Sequence, residues 1–365
     1  VERGKAEAEA AEVRVTGLLE GALKRGKISR EDFEKQWDNF SVAPDYGAAA
    51  GADLAIEAVF EDLEVKREVF RNLAKAMGDD AILATNTSYL DPTEIFAGLP
   101  NPARCLGLHF FSPAHIMKLL EIVVMPETGP EVLATGFAFG RKLKKMTVLS
   151  GICDGFVGNR MLAAYRREAE YLLADGALPH EVDAAMRGFG MPMGPFELQD
   201  LTGLQIAWAN RQRQATRPEG ERYETIADTL FDLGRLGQRA GKGWYRYAEG
   251  SRSPERDPEV EGMIRAYSAE RGITRRDFGA DEIVNRLMAV LINEGARIVE
   301  EGIAERPGDV DTVQIHGYGF PRWRGGPMHY ATERGWDVVA QDMARVAEAS
   351  PGSWVIADQL KGAAR

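Results

Sequence analysis

His109 and Glu121 are the residues of this sequence with the clearest capacity for chemistry. His109 closes one apolar run, LGLHFF, and Glu121 sits inside the next, LLEIVV, twelve positions on. If both runs are strands joined by a tight connection, imidazole and carboxylate meet at one edge of a sheet. A carboxylate on one ring nitrogen fixes the tautomer and raises the basicity of the other nitrogen, which is what removing an alcohol proton during hydride transfer requires. The spacing alone is also met by a core histidine and a strand glutamate, each with its own partner. A dinucleotide site would add GxGxxG between a first strand and its helix, where glycines let the backbone approach a pyrophosphate. That motif is absent from the sequence. The nearest string, Gly188-Phe189-Gly190 with Gly194 beyond it, follows a helical pattern and precedes prolines, so it reads as a helix-terminating turn, as does Gly317-Tyr318-Gly319.

The elements that must position this pair follow from periodicity. Leu54 to Val59 reads as a strand, and Glu64 to Met77 as a helix, because Val65, Val69, Leu73 and Met77 recur at fourfold spacing. Strands are expected at Ala81 to Thr85, Arg104 to Phe110, Leu119 to Val124 and Thr147 to Leu149, with a helix from Pro130 to Lys144. Alternation of this kind is the pattern of a parallel sheet with helical crossovers. Beyond Gly151 the strands stop and helices follow, the first from Phe156 to Asp175 and the next from Pro179 to Arg187.

The helical part contains an internal repeat. Asn159-Arg160-Met161-Leu162 returns as Asn285-Arg286-Leu287-Met288, Asp175-Gly176 as Glu301-Gly302, and Val182-Asp183 as Val310-Asp311. Gly188-Phe189-Gly190 returns as Gly317-Tyr318-Gly319, and Gly194-Pro195 as Gly326-Pro327. The polar stretch Ala248 to Pro258 reads as a linker between the copies. Three domains are therefore expected: an α/β domain over 1–150, a first helical copy over 151–250 and a second over 259–365. The helices around Asn159 to Asp175 should pack against those around Asn285 to Glu301.

Composition narrows the function classes. The sequence has 365 residues, 45 Lys and Arg against 56 Asp and Glu, and a formal charge of -11, which argues against a general nucleic-acid or anionic-membrane surface. An anionic substrate would need a local basic patch. Lys24-Arg25 with Lys27 and Arg30 forms one such cluster, and Arg141-Lys142 with Lys144-Lys145 another; the second sits at a helix C-terminus, where the dipole favours cations anyway. Cys105 and Cys153 lack metal or disulfide spacing, so no metal site is expected and a reducing compartment fits. No apolar run approaches the roughly 20 residues of a membrane span, and Val1 to Ala11 is charged and alanine-rich rather than signal-like.

Several strings together resemble the 3-hydroxyacyl-CoA dehydrogenase family: IEAVFEDLEVK (Ile56 to Lys66), NTS (Asn86 to Ser88), LHFFSPAHIMKLLEIV (Leu108 to Val123), DGFVGNR (Asp154 to Arg160), GMPMGPFEL (Gly190 to Leu198), GKGWYRY (Gly241 to Tyr247) and GYGFPRWRGGP (Gly317 to Pro327). HFFSPAH and the duplicated helical region are most similar to the dehydrogenase half of peroxisomal-type and bacterial multifunctional β-oxidation enzymes. The resemblance implies an NAD-binding Rossmann-like domain followed by two tandem all-α dehydrogenase C-terminal domains. It implies that His109 is the catalytic base or acid and Glu121 its orienting carboxylate. Ser88 and Asn159 are the implied substrate-binding residues. Glu61, Lys66, Ser88, Ser112 and Arg239 fall on positions that touch NAD in relatives; Ser112 departs from the asparagine common there. The Lys24 to Arg30 cluster lies on a helical excursion that meets coenzyme A in relatives.

The implied activity is oxidation of an L-3-hydroxyacyl-CoA to the 3-ketoacyl-CoA in fatty acid β-oxidation. Relatives begin the α/β domain with a strand, a glycine loop and a second strand. The expectation is that this sequence starts after all three, leaving the domain without its pyrophosphate cradle, and that an enoyl-CoA hydratase domain belongs before it. Expected partners are an acyl-CoA substrate and a thiolase or hydratase. The dehydrogenase part should be monomeric, because a tandem copy can cover the face through which single-copy relatives dimerise. The expected location is cytoplasmic in a bacterium or peroxisomal in a eukaryote. Two other readings stay open: a non-catalytic assembly remnant, and a short-chain 3-hydroxybutyryl-CoA dehydrogenase, against which the second helical copy weighs.

Overall fold

Five short strands, β1 (Leu54–Glu57), β2 (Ile82–Thr85), β3 (Cys105–Phe110), β4 (Leu119–Val123) and β5 (Met146–Ser150), are hydrogen-bonded neighbours in chain order. They belong to a computed structural model that describes residues 1–213 and 220–363. β1 pairs with β2, β2 with β3 and β4 with β5, all in parallel. Parallel strands are covered on both faces, which is why these runs are apolar rather than alternating. Leu83, Ala84, Leu106, Leu108, Leu119, Leu120, Ile122 and Val123 are all buried.

The chain divides into two compact units, Val1–Leu108 with Met125–Gly136, and His109–Val124 with Phe137–Arg365. The first opens with two helices, α1 (Lys5–Lys24), which buries no residue, and α2 (Arg30–Asp38), started by a Ser29–Asp32 capping box. The helix α3 (Leu63–Ala76) crosses from β1 to β2. Asp62 caps it by accepting the Val65 N–H, and Phe70 and Leu73 supply its buried stripe. The helix α4 (Pro130–Lys142) ends in Arg141 and Lys142, a cationic last turn that suits the helix dipole.

The second unit is dominated by the duplication. Helices α5 (Gly158–Asp175), α6 (Pro179–Phe189) and α7 (Pro195–Thr202) recur as α8 (Ala280–Glu300), α9 (Pro307–Gly317) and α10 (Pro327–Arg334). In both copies a buried aspartate on the second helix caps the third. Asp183 accepts the N–H groups of Phe196 and Glu197, each at 3.0 Å, and Asp311 accepts those of Met328 at 2.7 Å and His329 at 3.2 Å. These bonds satisfy donors that the start of a helix leaves without partners. They also explain Gly194 and Gly326, where a Cβ would collide with Asp183 or Asp311.

As the repeat implied, α5 packs against α8, and α8 buries most of its residues from Ile283 to Ile298. The contact is symmetric in its charges. Arg160 on α5 binds Glu294 at 2.5 Å and Glu301 at 2.6 Å, while Arg286 on α8 binds Glu168 at 2.6 Å and Asp175 at 3.4 Å. Arg160 and Arg286 are equivalent in the repeat, and so are Glu168 with Glu294 and Asp175 with Glu301. Each copy therefore lends the other an arginine, the self-complementary arrangement of a twofold interface, here within one chain.

The expected linker is only partly free: Arg246 and Glu255 form an antiparallel bridge, and Asp257 binds the buried Arg235. An ion pair that propensity cannot anticipate ties this polar stretch down.

Burial pushes the Glu168 carboxyl up to about 7 in spite of Arg286. Arg286→Met should thus destabilise the protein by about 3 kcal/mol, the low end for breaking a buried pair, because the stranded acid can neutralise itself by protonation. Adding Glu168→Met should recover most of that loss. Denaturant unfolding of the single and double variants checks both; a double variant no more stable than the single would contradict the ion-pair account.

Candidate active site

In the second unit the last residues of β3 and the middle of β4 bring together the pair singled out from the sequence. His109 Nδ1 lies 2.6 Å from Glu121 Oε2, and both side chains are buried. The other carboxylate oxygen, Oε1, accepts the Gly158 N–H at 2.9 Å, at the first residue of α5. A fully buried carboxylate is tolerable only when its oxygens are satisfied, and here one strand side chain and one helix N-terminus do so. The imidazole is also walled by rings, with Phe111 at 4.7 Å and Phe156 at 5.5 Å between centroids. Its Nε2 has no hydrogen-bond partner among the described residues. The ring is thus held by one nitrogen and open at the other, as a general base or acid must be.

The connection from β3 to β4 is held from beneath. Lys145 donates to the carbonyls of Ala114 and Met117 and lies over the Phe110 ring at 5.8 Å. Asn159, next along from Gly158, receives the Tyr318 hydroxyl on Oδ1 at 2.9 Å, and its Nδ2 has no partner among the described residues. Gly158 has no room for a side chain: a Cβ there would stand 2.8 Å from the Tyr318 ring and hydroxyl and 3.1 Å from Phe111.

The first unit carries a second polar cluster, at the carboxyl ends of β1 and β2, where open parallel sheets bind ligands. Glu57 accepts Lys66 Nζ at 2.7 Å, the Val59 N–H at 2.6 Å and the Thr85 hydroxyl at 2.8 Å. Lys66 is 1% exposed and also lies 3.3 Å from Glu61, so it is a buried cation between two carboxylates rather than a solvated helix residue. Glu61 accepts the Thr87 hydroxyl at 2.5 Å and the N–H groups of Ser88 at 2.9 Å and Tyr89 at 3.0 Å. Burial works to raise the Glu61 carboxyl, but the Thr87 hydroxyl, the Lys66 charge and the two backbone donors outweigh it and hold it below the usual carboxylate value.

The predicted residues therefore fall into groups. His109, Glu121 and Asn159 share the turn into α5, and Glu61, Lys66 and Ser88 share the strand ends of the first unit. Ser112 and Arg239 are exposed and make no hydrogen bond or ion pair with the others. Sequence reading missed Glu57, Thr85, Thr87, Phe111, Gly158 and Tyr318. A charged residue inside the apolar run LAIEAV was the one available signal, for Glu57. Among the described residues no group of three or more His, Cys, Asp and Glu could hold a metal, and no helix is long and apolar enough to cross a membrane.

Comparison with known proteins shows the family. Residues 1–153 match the family model described as 3-hydroxyacyl-CoA dehydrogenase, NAD binding domain, and the model of the C-terminal domain matches twice, over 155–247 and 283–360. The chain belongs to the 3-hydroxyacyl-CoA dehydrogenase family. The double match falls on the two helical copies. The chain is 39% identical to the peroxisomal bifunctional enzyme of Cavia porcellus over 368 residues, covering 96% of this chain and 50% of that enzyme. It thus spans about half the length of that relative. The dehydrogenase part of multifunctional enzyme 1 from C. elegans superposes with a TM-score of 0.69 at 29% identity, over 98% of this chain and 82% of that one. The 3-hydroxybutyryl-CoA dehydrogenase of Escherichia coli K12 superposes with a TM-score of 0.82 over 99% of this chain and 91% of that one; at 24% identity this likeness concerns the fold alone.

The crowding at Gly158 gives a direct check. Gly158→Ala should lower stability by about 1–2 kcal/mol, although alanine ordinarily favours a helix, because Tyr318 and Phe111 must move apart. A thermal unfolding midpoint equal to or above that of the parent would contradict the close packing.

Proposed function

We propose that this chain oxidises L-3-hydroxyacyl-CoA to 3-ketoacyl-CoA with NAD in fatty acid β-oxidation, within a multifunctional enzyme that also carries an enoyl-CoA hydratase domain. The observation that carries the reading is the His109–Glu121 pair, one ring nitrogen fixed by a buried carboxylate and the other open. His109 takes the hydroxyl proton of the substrate at Nε2 while C3 is oxidised, and returns it as an imidazolium in the reverse direction. Glu121 keeps the ring in the required tautomer and stabilises the imidazolium. Asn159 and Ser88 hold the substrate. NAD, when bound, supplies the hydride acceptor. The first unit suits such a group: its polar residues sit at parallel-strand carboxyl ends, and the Ser88 hydroxyl makes no hydrogen bond to the described residues. Glu61, Lys66, Ser88, Ser112 and Arg239 are the proposed cofactor contacts.

The proposed domains are 1–150, 151–250 and 259–365, and the proposed companions are a hydratase and a thiolase. The peroxisomal bifunctional enzyme named above supports a peroxisomal setting in a eukaryote, and a cytoplasmic one is proposed for a bacterium. A second helical copy does not separate acyl-chain lengths, because the E. coli protein named a 3-hydroxybutyryl-CoA dehydrogenase aligns with 99% of this chain, both copies included. Against a non-catalytic remnant stands the dyad itself, in which a buried carboxylate holds the ring on one oxygen and a backbone N–H on the other while the second ring nitrogen stays open.

His109→Gln should lower kcat for acetoacetyl-CoA with NADH by about 10² to 10⁴, with little change in KM, and Glu121→Gln should act in the same direction. Near-normal turnover by His109→Gln would refute the assigned role. The exchange of arginines between the copies further predicts a dehydrogenase part that is monomeric by light scattering; a stable dimer formed through α5 or α8 would contradict it.

A further inference from the structure

Among its described residues the second helical copy has no His–carboxylate dyad matching His109–Glu121, yet it reaches the first copy's site. Tyr318 follows α9 in that copy, and its hydroxyl donates to Asn159 Oδ1 at 2.9 Å. Its ring meets Phe111 edge-on, with centroids 5.6 Å apart at 85°, and Phe111 in turn packs on His109. Gly158, whose N–H holds Glu121, is small because the Tyr318 ring occupies the space beside it. One phenol therefore touches the amide, the aromatic wall and the glycine that together frame the dyad.

The hydroxyl has a chemical consequence. An amide offers an acceptor oxygen and donor N–H groups, and engaging the oxygen leaves only donors free. We propose that Tyr318, supplied by the second copy, is a positioning residue of the dehydrogenase site: by holding Asn159 Oδ1 it presents the Asn159 Nδ2 donors to the C3 oxygen of the substrate. The proposal rests on the functional reading above. In ketone reduction that oxygen gains negative charge as hydride reaches C3, so a donor fixed beforehand favours the transition state over the ground state. In alcohol oxidation the same donor holds the oxygen while its proton passes to His109.

The duplication supplies an internal control. The repeat position equivalent to Tyr318 is Phe189, buried, with its ring edge-on to Phe320 at 5.7 Å and Tyr330 at 5.2 Å. An aromatic ring is enough for packing in that copy. The hydroxyl is present where the ring faces Asn159 and the dyad.

Tyr318→Phe in the full-length protein keeps the ring and its contact with Phe111. The unfolding midpoint should be unchanged, and kcat for acetoacetyl-CoA with NADH should fall about 3- to 10-fold, the span of one ordinary hydrogen bond, with KM little altered. In an Asn159→Ala background the same change should cost nothing further, because its target is gone. A merely structural role would lower the unfolding midpoint and would not vanish on removal of the amide. Full activity of Tyr318→Phe, or an undiminished loss in the Asn159→Ala background, would overturn the proposal. Either result alongside an inactive His109→Gln would leave the dehydrogenase reading standing, whereas an active His109→Gln would remove both.

Discussion

The buried carboxylate of Glu121 is the point on which the second unit turns. It sits in the middle of β4, accepts from the start of α5 through Gly158, and fixes the ring of His109 at the end of β3. Hydrogen bonds to a charged group contribute on the order of 1.5–3 kcal/mol each, but a buried carboxylate missing either partner costs at least as much. Sheet, helix start and imidazole are therefore coupled. Movement of α5 away from β4 would strand the carboxylate and release the ring together. That coupling makes the packing around Gly158 a matter of chemistry as well as stability, since Phe111 and Tyr318 press α5 into place.

Behind α5 the helical copies hold each other by exchanged arginines. Ion pairs at this depth recover little over the cost of desolvating them, so their value is better placed in register. Two helices with broad apolar faces could slide or rotate by a turn at modest cost, whereas Arg160 between Glu294 and Glu301, matched by Arg286 between Glu168 and Asp175, fits in one alignment. Cation–π contact adds to this, with the Arg286 guanidinium 5.4 Å from the Phe278 ring. The register so fixed also determines where Tyr318 falls relative to Asn159.

What could be read from the sequence divides along a physical line. Periodicity is local, so strands near Leu54, Ala81, Cys105 and Leu119 and helices such as α3 and α5 emerge within a residue or two of their observed ends. The His109–Glu121 pair was visible because a tight connection leaves little freedom over twelve residues. Glu57 with Lys66 was obscured for the opposite reason: an amphipathic helix offers a lysine several solvated positions, and only the packing of α3 on β1 buries this one. Tyr318 and Asn159 lie 159 positions apart, beyond any spacing argument. The repeat placed Asn159 at the α5–α8 contact, but its pairing of Tyr318 with Phe189 gave no sign that the hydroxyl would cross between copies.

The two copies can be compared as though one were a variant of the other. Both keep the arginine on the first helix, the capping aspartate on the second and the glycine that lets the third helix approach. These are the features that close a helical half onto its mate, and each copy needs them to fold. The differences lie elsewhere. Asp183 also receives the Tyr245 hydroxyl at 2.6 Å, and Asp200 gathers the N–H groups of Trp244 and Tyr245 and the Tyr247 hydroxyl, knotting the GKGWYRY segment onto the first copy. At the C-terminal end of the second helix, one copy has a phenyl ring among aromatic neighbours and the other a phenol bonded to the amide beside the dyad. The hydroxyl of Tyr318 is a difference that the equivalent ring, Phe189, does without. The site it reaches is a sufficient reason for it.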